Sequence, residues 1–268
     1  MIRWISNEAN NVINLLRTYS KIIPDVIISF RREEISIEGI DRNRIILGSI
    51  NFFDSHLEEF GEYEVEKELT IKLNLEFLKD IAVRPEDSFE LRVDEDTSQM
   101  CLKVYGKNRP TREYVQQVNI YECFDEECAE YPDVDYKSGM ALDFEIIAFS
   151  IGMLSGFSKT IKITIKEDIA FLEGGGEEPS IMVINKDVPY IYIWGNAVAT
   201  YDSDNLLKIL EVLDAYSVHE VYLELDTNSP LEIGGPFGEG SGYMGFYLAP
   251  LVKNKYLKLK EPYPILLE

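Results

Sequence analysis

The sequence predicts an α+β chain built from two tandem, similar domains, and two observations carry that expectation. The first is an internal duplication. The segment "FLKDI" (77–81) matches "LLKIL" (206–210) in pattern and in the place of its lysine, and "FELRV" (89–93) likewise matches "VYLEL" (221–225). Two longer amphipathic segments, 6–23 and about 143–155, each precede a strand-rich stretch. The second observation is "YECFDEECAEYPDVDY" (121–136), rich in Asp and Glu, with Pro132 and little periodicity, the composition of a solvated connection. The expected organisation is therefore a first domain at 1–120, a linker at 121–137, a second domain at 138–252 and a tail at 253–268.

The elements follow in order. Residues 6–23 place Val12, Leu16, Tyr19 and Ile23 on one helical face, with Ser6 as the expected N-cap. The opposite face carries Asn10, Asn14, Arg17 and Lys21, neutral to basic in an otherwise acidic chain. Residues 26–52 read as three short strands, broken at Arg31–Glu34 and at Asp41–Asn43. A strand at 69–73, a helix at 74–82, and strands at 88–93, 100–106 and 113–122 complete the first half. In the second half, strand 197–201 leads into a helix capped by Asp202 or Ser203, then into strand 219–226.

The 268 residues are 46% hydrophobic and 28% charged, proportions of a globular chain with a core to bury. The longest apolar run, 144–154, carries Glu145 and is shorter than the roughly 18 residues of a membrane span. The N-terminus has no signal-peptide core, so the chain is expected to be intracellular. Its three cysteines, Cys101, Cys123 and Cys128, suit free thiols. Cys123 and Cys128 lack a second pair, and His56 and His219 lie far off in sequence, so no metal site is expected. A net charge of −22 excludes a generic basic DNA-coating protein. It leaves room for one that holds DNA topologically and confines its few cations to one surface.

Gly240, Gly242 and Gly245 match G-x-G-x-x-G, a dinucleotide-binding fingerprint that needs a strand before it and a helix opening at it. Here Pro250 follows within a few residues and no strand–helix–strand unit can close. A turn or bulge is the expected use of these glycines, and also of "EGGGEE" (173–178). No nucleophile elbow, metalloprotease helix or P-loop occurs. The 48 carboxylates single out no acid–base pair, so neither an enzyme nor a cofactor is expected.

Three further stretches combine with this architecture: "ISIEGIDRNRIILGSI" (35–50), "LNLEFLKDI" (73–81) and "GYMGFYLAPLV" (242–252). In this order and at these separations they resemble the sliding clamps of the proliferating-cell nuclear antigen (PCNA) family of archaea and eukaryotes, over roughly residues 1–252. The resemblance implies a DNA clamp fold, with outer β-sheets and inner helices, in which three two-domain subunits form a ring around duplex DNA. It implies a non-enzymatic polymerase processivity factor that tethers replication and repair enzymes, and no cofactor. By the same resemblance Arg17, Lys21, Lys79 and Lys208 would face DNA. Such a clamp slides, so it contacts phosphates weakly and reads no bases. A partner-peptide pocket would involve Ile40, Arg44, Ile45, Leu47, Ala129, Tyr131, Pro132, Pro230, Tyr247, Ala249, Pro250 and Leu251. Subunits would meet through Tyr114, Val115, Val118 and Ile120 on one edge and Ile181 and Val183 on the other.

The implied partners are DNA polymerase, clamp loader, flap nuclease and ligase, docking through short peptides, and other clamp subunits, in the cytoplasm of an archaeon or the nucleus of a eukaryote. The sequence departs from the family in its third inward helix. Ser138 to Ser158 contains no Lys or Arg, which suits one subunit of a heteromeric ring or a ring needing few inward cations. Two alternatives stand beside this reading: a checkpoint-type subunit acting only in a heteromeric ring, and a nucleotide-binding enzyme using the 240–245 loop.

Overall fold

The computed structural model describes residues 1–94, 98–106, 109–122, 131–132, 134–175, 180–252 and 255–256. The first half runs β1 (Ile2–Ser6), α1 (Ala9–Ser20), β2 (Asp25–Phe30), β3 (Glu34–Ile40), β4 (Ile46–Phe53), α2 (Asp54–Phe60), β5 (Gly61–Val65) and β6 (Leu69–Asn74). A 3-10 helix at Leu75–Asp80 follows, then β7 (Asp87–Asp94), β8 (Gln99–Gly106), β9 (Arg109–Asn119) and β10 (Tyr121–Glu122). The second half runs β11 (Gly139–Asp143), α3 (Phe144–Ser155), β12 (Thr160–Lys166), β13 (Ile169–Gly174), β14 (Ser180–Asn185), β15 (Tyr192–Trp194) and β16 (Asn196–Asp202). It closes with α4 (Ser203–Asp214), β17 (Glu220–Glu224), β18 (Leu231–Phe237), β19 (Gly242–Leu248) and a short hairpin, β20 (Leu251–Val252) with β21 (Lys255–Tyr256).

The duplication is a property of the fold. Sheet order β5-β1-β7-β8-β9 in the first half corresponds to β15-β11-β17-β18-β19 in the second, and β6-β2-β3-β4 corresponds to β16-β12-β13-β14. Helix α1 and strand β2 start at Ala9 and Asp25, α3 and β12 at Phe144 and Thr160, so both are displaced by the same 135 positions. The halves are stitched together by antiparallel pairing of β4 with β19, from Ile46 opposite Leu248 to Phe52 opposite Gly242. One ten-stranded sheet therefore runs through both halves. Strand alternation puts Ile50, Phe52, Leu223, Ile233, Met244 and Phe246 into the core beneath the helices. Tyr19 of α1 crosses the seam: its hydroxyl donates to the Gly48 carbonyl of β4 at 2.7 Å, and its ring lies 5.9 Å from that of Phe246 in β19.

Three side chains cap helices, and of these Asp202 is the one expected from the sequence. Asn74, Asp143 and Asp202 accept from the backbone N–H of Glu76, Glu145 and Asn205 and start the 3-10 helix, α3 and α4. Two expectations are corrected. Helix α1 begins at Ala9, not after Ser6; Ser6 ends β1, and its hydroxyl accepts from the Glu8 N–H at 3.1 Å. The 74–82 segment is 3-10 rather than α-helical.

Candidate functional site

The glycine-rich segment is a β-hairpin. Gly238 and Gly240 take φ of +54° and +89° in the tight connection from β18 to β19, where glycine avoids the Cβ clash of left-handed backbone. Gly242 lies within β19 beneath the Phe237 ring, which a Cβ would overlap. The strand continues through Gly245 to Leu248, so no helix opens at the motif.

Three surfaces gather the residues singled out by sequence. The first is the helical face. Lys21, Lys79 and Lys208 are exposed on α1, the 3-10 helix and α4. Lys21 pairs with Glu211 of α4 at 2.5 Å and Lys79 with Glu76 at 3.3 Å. Arg17 is half-buried and already engaged: it donates to the carbonyls of Leu78 at 3.2 Å and Ile81 at 2.5 Å and to Asn14 at 2.7 Å, anchoring the 3-10 helix to α1. On α3 the exposed positions are Glu145, Phe149, Gly152 and Met153, without a cation; Phe149 is 61% exposed, and Phe157, just past the helix, is 71% exposed.

The second surface surrounds the end of the linker. Ile40, Leu47 and Tyr247 lie opposite one another in a row across β3, β4 and β19. Tyr131 stands on this row, its ring 5.7 Å from Tyr247. Burial, reinforced by the Glu38 carboxylate, pushes the Tyr131 hydroxyl far above its ordinary pKa, so it stays protonated. The Glu232 carboxyl beside Tyr247 is likewise raised by burial. The Asp41 carboxylate shapes the adjoining turn by accepting from the N–H groups of Asn43, Ile45 and Ile46, which leaves Arg44 at φ +58°. Ala249 donates to the Ile45 carbonyl at 2.8 Å, and Tyr136 donates to that of Pro230 at 3.0 Å. Leu47 is 2% exposed, and Ala249 and Pro250 are also buried, so these form a floor. Ile40, Arg44, Ile45, Pro132, Pro230, Tyr247 and Leu251 are half-buried around it. Ala129 lies outside the described residues, as do Cys123, Cys128 and the second half of "EGGGEE", 176–178. Alongside opens a cleft of 580 Å³, lined by Arg42, Asn43 and Ile45 of the turn and by Asp202, Asp204, Asn205 and Lys208 at the start of α4.

The third surface is a pair of open strand edges. β9 ends the five-stranded sheet and β14 ends the four-stranded one, each without a partner on its outer side among the described residues. Val115 of β9 and Ile181 and Val183 of β14 are more than half exposed. Tyr114 and Val118 pack partly against the core, and Ile120 is buried in it.

Sequence reasoning missed a buried polar chain across the seam. Tyr216, after α4, donates to the Glu8 carboxylate before α1; its oxygen lies 3.1 Å from His56 Nε2 in α2, and His56 Nδ1 lies 3.1 Å from the Ser241 hydroxyl. Burial lowers the His56 pKa to about 4, so the ring is neutral. These residues are scattered from position 8 to 241, and no spacing could have joined them. Among the described residues no His, Cys, Asp or Glu cluster is arranged to hold a metal ion, and no helix is long and apolar enough to cross a membrane.

No family model matches the chain. It is 25% identical over 257 residues to the DNA polymerase sliding clamp of Thermococcus gammatolerans, covering 93% of this chain and 98% of that protein. Its fold superposes on A. fulgidus PCNA, solved with the C-terminal region of FEN-1, with a TM-score of 0.80 and 16% identity over 95% of this chain and 100% of that one. It also superposes on the PCNA2–PCNA3 complex of Sulfolobus tokodaii, with a TM-score of 0.76 and 19% identity over 94% of this chain and 100% of that one. A duplicated clamp-like fold and near full-length similarity agree: the chain is similar to DNA polymerase sliding clamps over most of its length and has the fold of PCNA.

Proposed function

We propose that this chain is a subunit of a ring that encircles duplex DNA and tethers replication and repair enzymes to it, acting as a scaffold and not as a catalyst. One observation supports the ring above the rest. In the internal duplication β9 and β14 are the counterparts of β19 and β4, and β19 and β4 pair with each other inside the chain. The seam is thus a template for a head-to-tail junction in which β14 of one subunit pairs with β9 of the next. Such pairing would cover the exposed Val115, Ile181 and Val183.

In this reading residues 1–120 and 138–252 are the two domains. Lys21, Lys79 and Lys208 face the DNA, while Arg17 positions the 3-10 helix that carries Lys79. The row Ile40–Leu47–Tyr247 under Tyr131 receives partner peptides bearing aromatic anchors, and basic flanks of such peptides meet Glu38 and Glu232. A flap nuclease, a polymerase, a ligase and a clamp loader are the expected partners.

Mass in solution tests the ring. About three chains per particle are expected for a homomeric ring, and assembly only after adding paralogous chains for a heteromeric one. A chain that stays monomeric in both settings contradicts the proposal.

A further inference from the structure

The two halves carry equivalent three-strand edges, β5-β1-β7 and β15-β11-β17, and their outer faces differ in chemistry. On the first, charges satisfy one another. Arg3 of β1 pairs with Glu62 of β5 at 3.1 Å and with Glu90 of β7 at 2.8 Å, and Arg92 reaches Glu90 at 2.7 Å. Burial works to raise the Glu90 pKa, but the bonds from the two arginines outweigh it and hold the carboxyl below its ordinary value. The acids of that face have their cations built in.

On the second edge the strands read "YIW", "GMALD" and "EVYLE" and contain no Lys or Arg. By the match of 89–93 to 221–225, Glu224 stands where the first edge has Arg92 and Tyr222 where it has Glu90, while Gly139, opposite Glu224, stands where Arg3 lies opposite Arg92. Tyr192 and Tyr222 lie opposite the two sides of Ala141, so both rings share the outer face with only a methyl group between them. Tyr192 is 63% exposed. Just before β15, Tyr190 is 83% exposed and held at φ +65°, a backbone region costly for an aromatic residue. Glu220 and Glu224 flank Tyr222 at two-residue spacing and so share its face. Glu220 accepts from the Tyr222 hydroxyl at 3.0 Å, and burial raises the Glu224 carboxyl. Among the described residues, the outer side of β15 is the unpaired end of the ten-stranded sheet.

We propose that this face is a second docking site, taking an extended segment of a partner protein that carries lysine or arginine. The segment adds along the open β15 edge, its cations lie against Tyr192 and Tyr222 and pair with Glu220 and Glu224, and so they take the part that Arg3 and Arg92 play on the first edge. The site lies on the same side of the sheet seam as Tyr247 and adjoins the Tyr131–Tyr247 row, Glu224 lying opposite Glu232 and Glu232 opposite Tyr247, and it does not depend on DNA being encircled.

The probe is a phage-displayed random dodecapeptide library, selected on the full chain and scored on the Tyr192→Ser/Tyr222→Ser and Glu220→Gln/Glu224→Gln variants. All four positions lie on the outer face, and circular dichroism checks that both variants keep the fold. The expected outcome is a basic, extended consensus whose binding weakens about tenfold in either variant and falls with added salt. It should also shift the emission of Trp194, since the other tryptophan, Trp4, is buried. Peptides without basic enrichment, or peptides binding both variants as well as the parent, overturn the proposal. So does competition by a synthetic peptide of residues 253–268, which would assign the face to the chain's own tail. A change in mass in solution caused by Tyr192→Ser/Tyr222→Ser would assign it to a second copy and equally overturn it.

Discussion

At matching positions along the equivalent helices α1 and α3 and their C-caps, the first half carries Asn14, Arg17 and Lys21 where the second carries Phe149, Gly152 and Gly156. The buried positions behave otherwise: Val12 and Tyr19 of α1 correspond to Ile147 and Leu154 of α3, all of them in the core. The outer edges tell the same story, with an Arg–Glu lattice around Arg3 facing a tyrosine–carboxylate patch around Tyr222. Packing against the sheet limited what the core positions of each copy could become, because close-packed interiors resist changes of volume. Solvent-facing positions carried no such constraint, and there the copies diverged. The difference teaches that α3 and the outer edge of the second half lack the built-in cations that α1 and the edge around Arg3 carry in the first.

The largest effect is expected at the open edges. Ile181→Arg with Val183→Arg places two cations where β14 would meet β9, and should weaken assembly on the order of a hundredfold, read as a fall in mass to one chain. The same change made where β4 already pairs with β19 should unfold the chain, which separates the template from its copy.

A second effect follows from the seam. The His56 pKa is lowered in the folded chain from 6.5 to about 4, so between these values the unfolded state binds more protons than the folded one. The contribution is fully present above pH 6.5 and is lost as pH falls towards 4, amounting to about 3 kcal/mol at 1.36 kcal/mol per pKa unit. Urea unfolding from pH 7.5 to 4.5 should show the loss, and His56→Gln should flatten it. An unchanged pH profile in that variant would remove His56 from the account.

Two charge exchanges sharpen the helix comparison. Lys21→Glu with Lys79→Glu should impair polymerase stimulation while leaving the fold intact. Phe149→Lys with Met153→Lys should make α3 resemble α1 and steepen the fall of log K with log salt by about 2 per chain. The smallest effect belongs to the exposed Lys21–Glu211 pair: Lys21→Met should cost less than about 1 kcal/mol in thermal unfolding.

Much of this was legible in the sequence because its signals are local. The three strands at 26–52, the cap at Asp202 and the duplicated lysine positions were all readable from spacing. Helix α2 and strand β5 were not. "DSHLEEF" buries only His56 and Leu57, too few for a period to emerge, and β5 lines a charged edge with Glu62 and Glu64 facing out. The linker site was reachable through resemblance, but the burial of Leu47 and Ala249 was not, since it depends on which strands pair across the seam. The Glu8–Tyr216–His56–Ser241 chain is purely tertiary. The tyrosine patch left a trace in "VPYIYIW", where alternation signals a strand and aromatics on the outer phase signal an exposed face.

Release from DNA on linearisation tests the central claim most directly. The assembled protein is loaded onto closed circular duplex DNA, isolated with it, and the circle is then cut once with a restriction enzyme at unchanged salt. The account predicts stable retention on the circle and rapid loss after the cut, because the link is topological and phosphate contacts are few. Equal retention before and after cutting would contradict it.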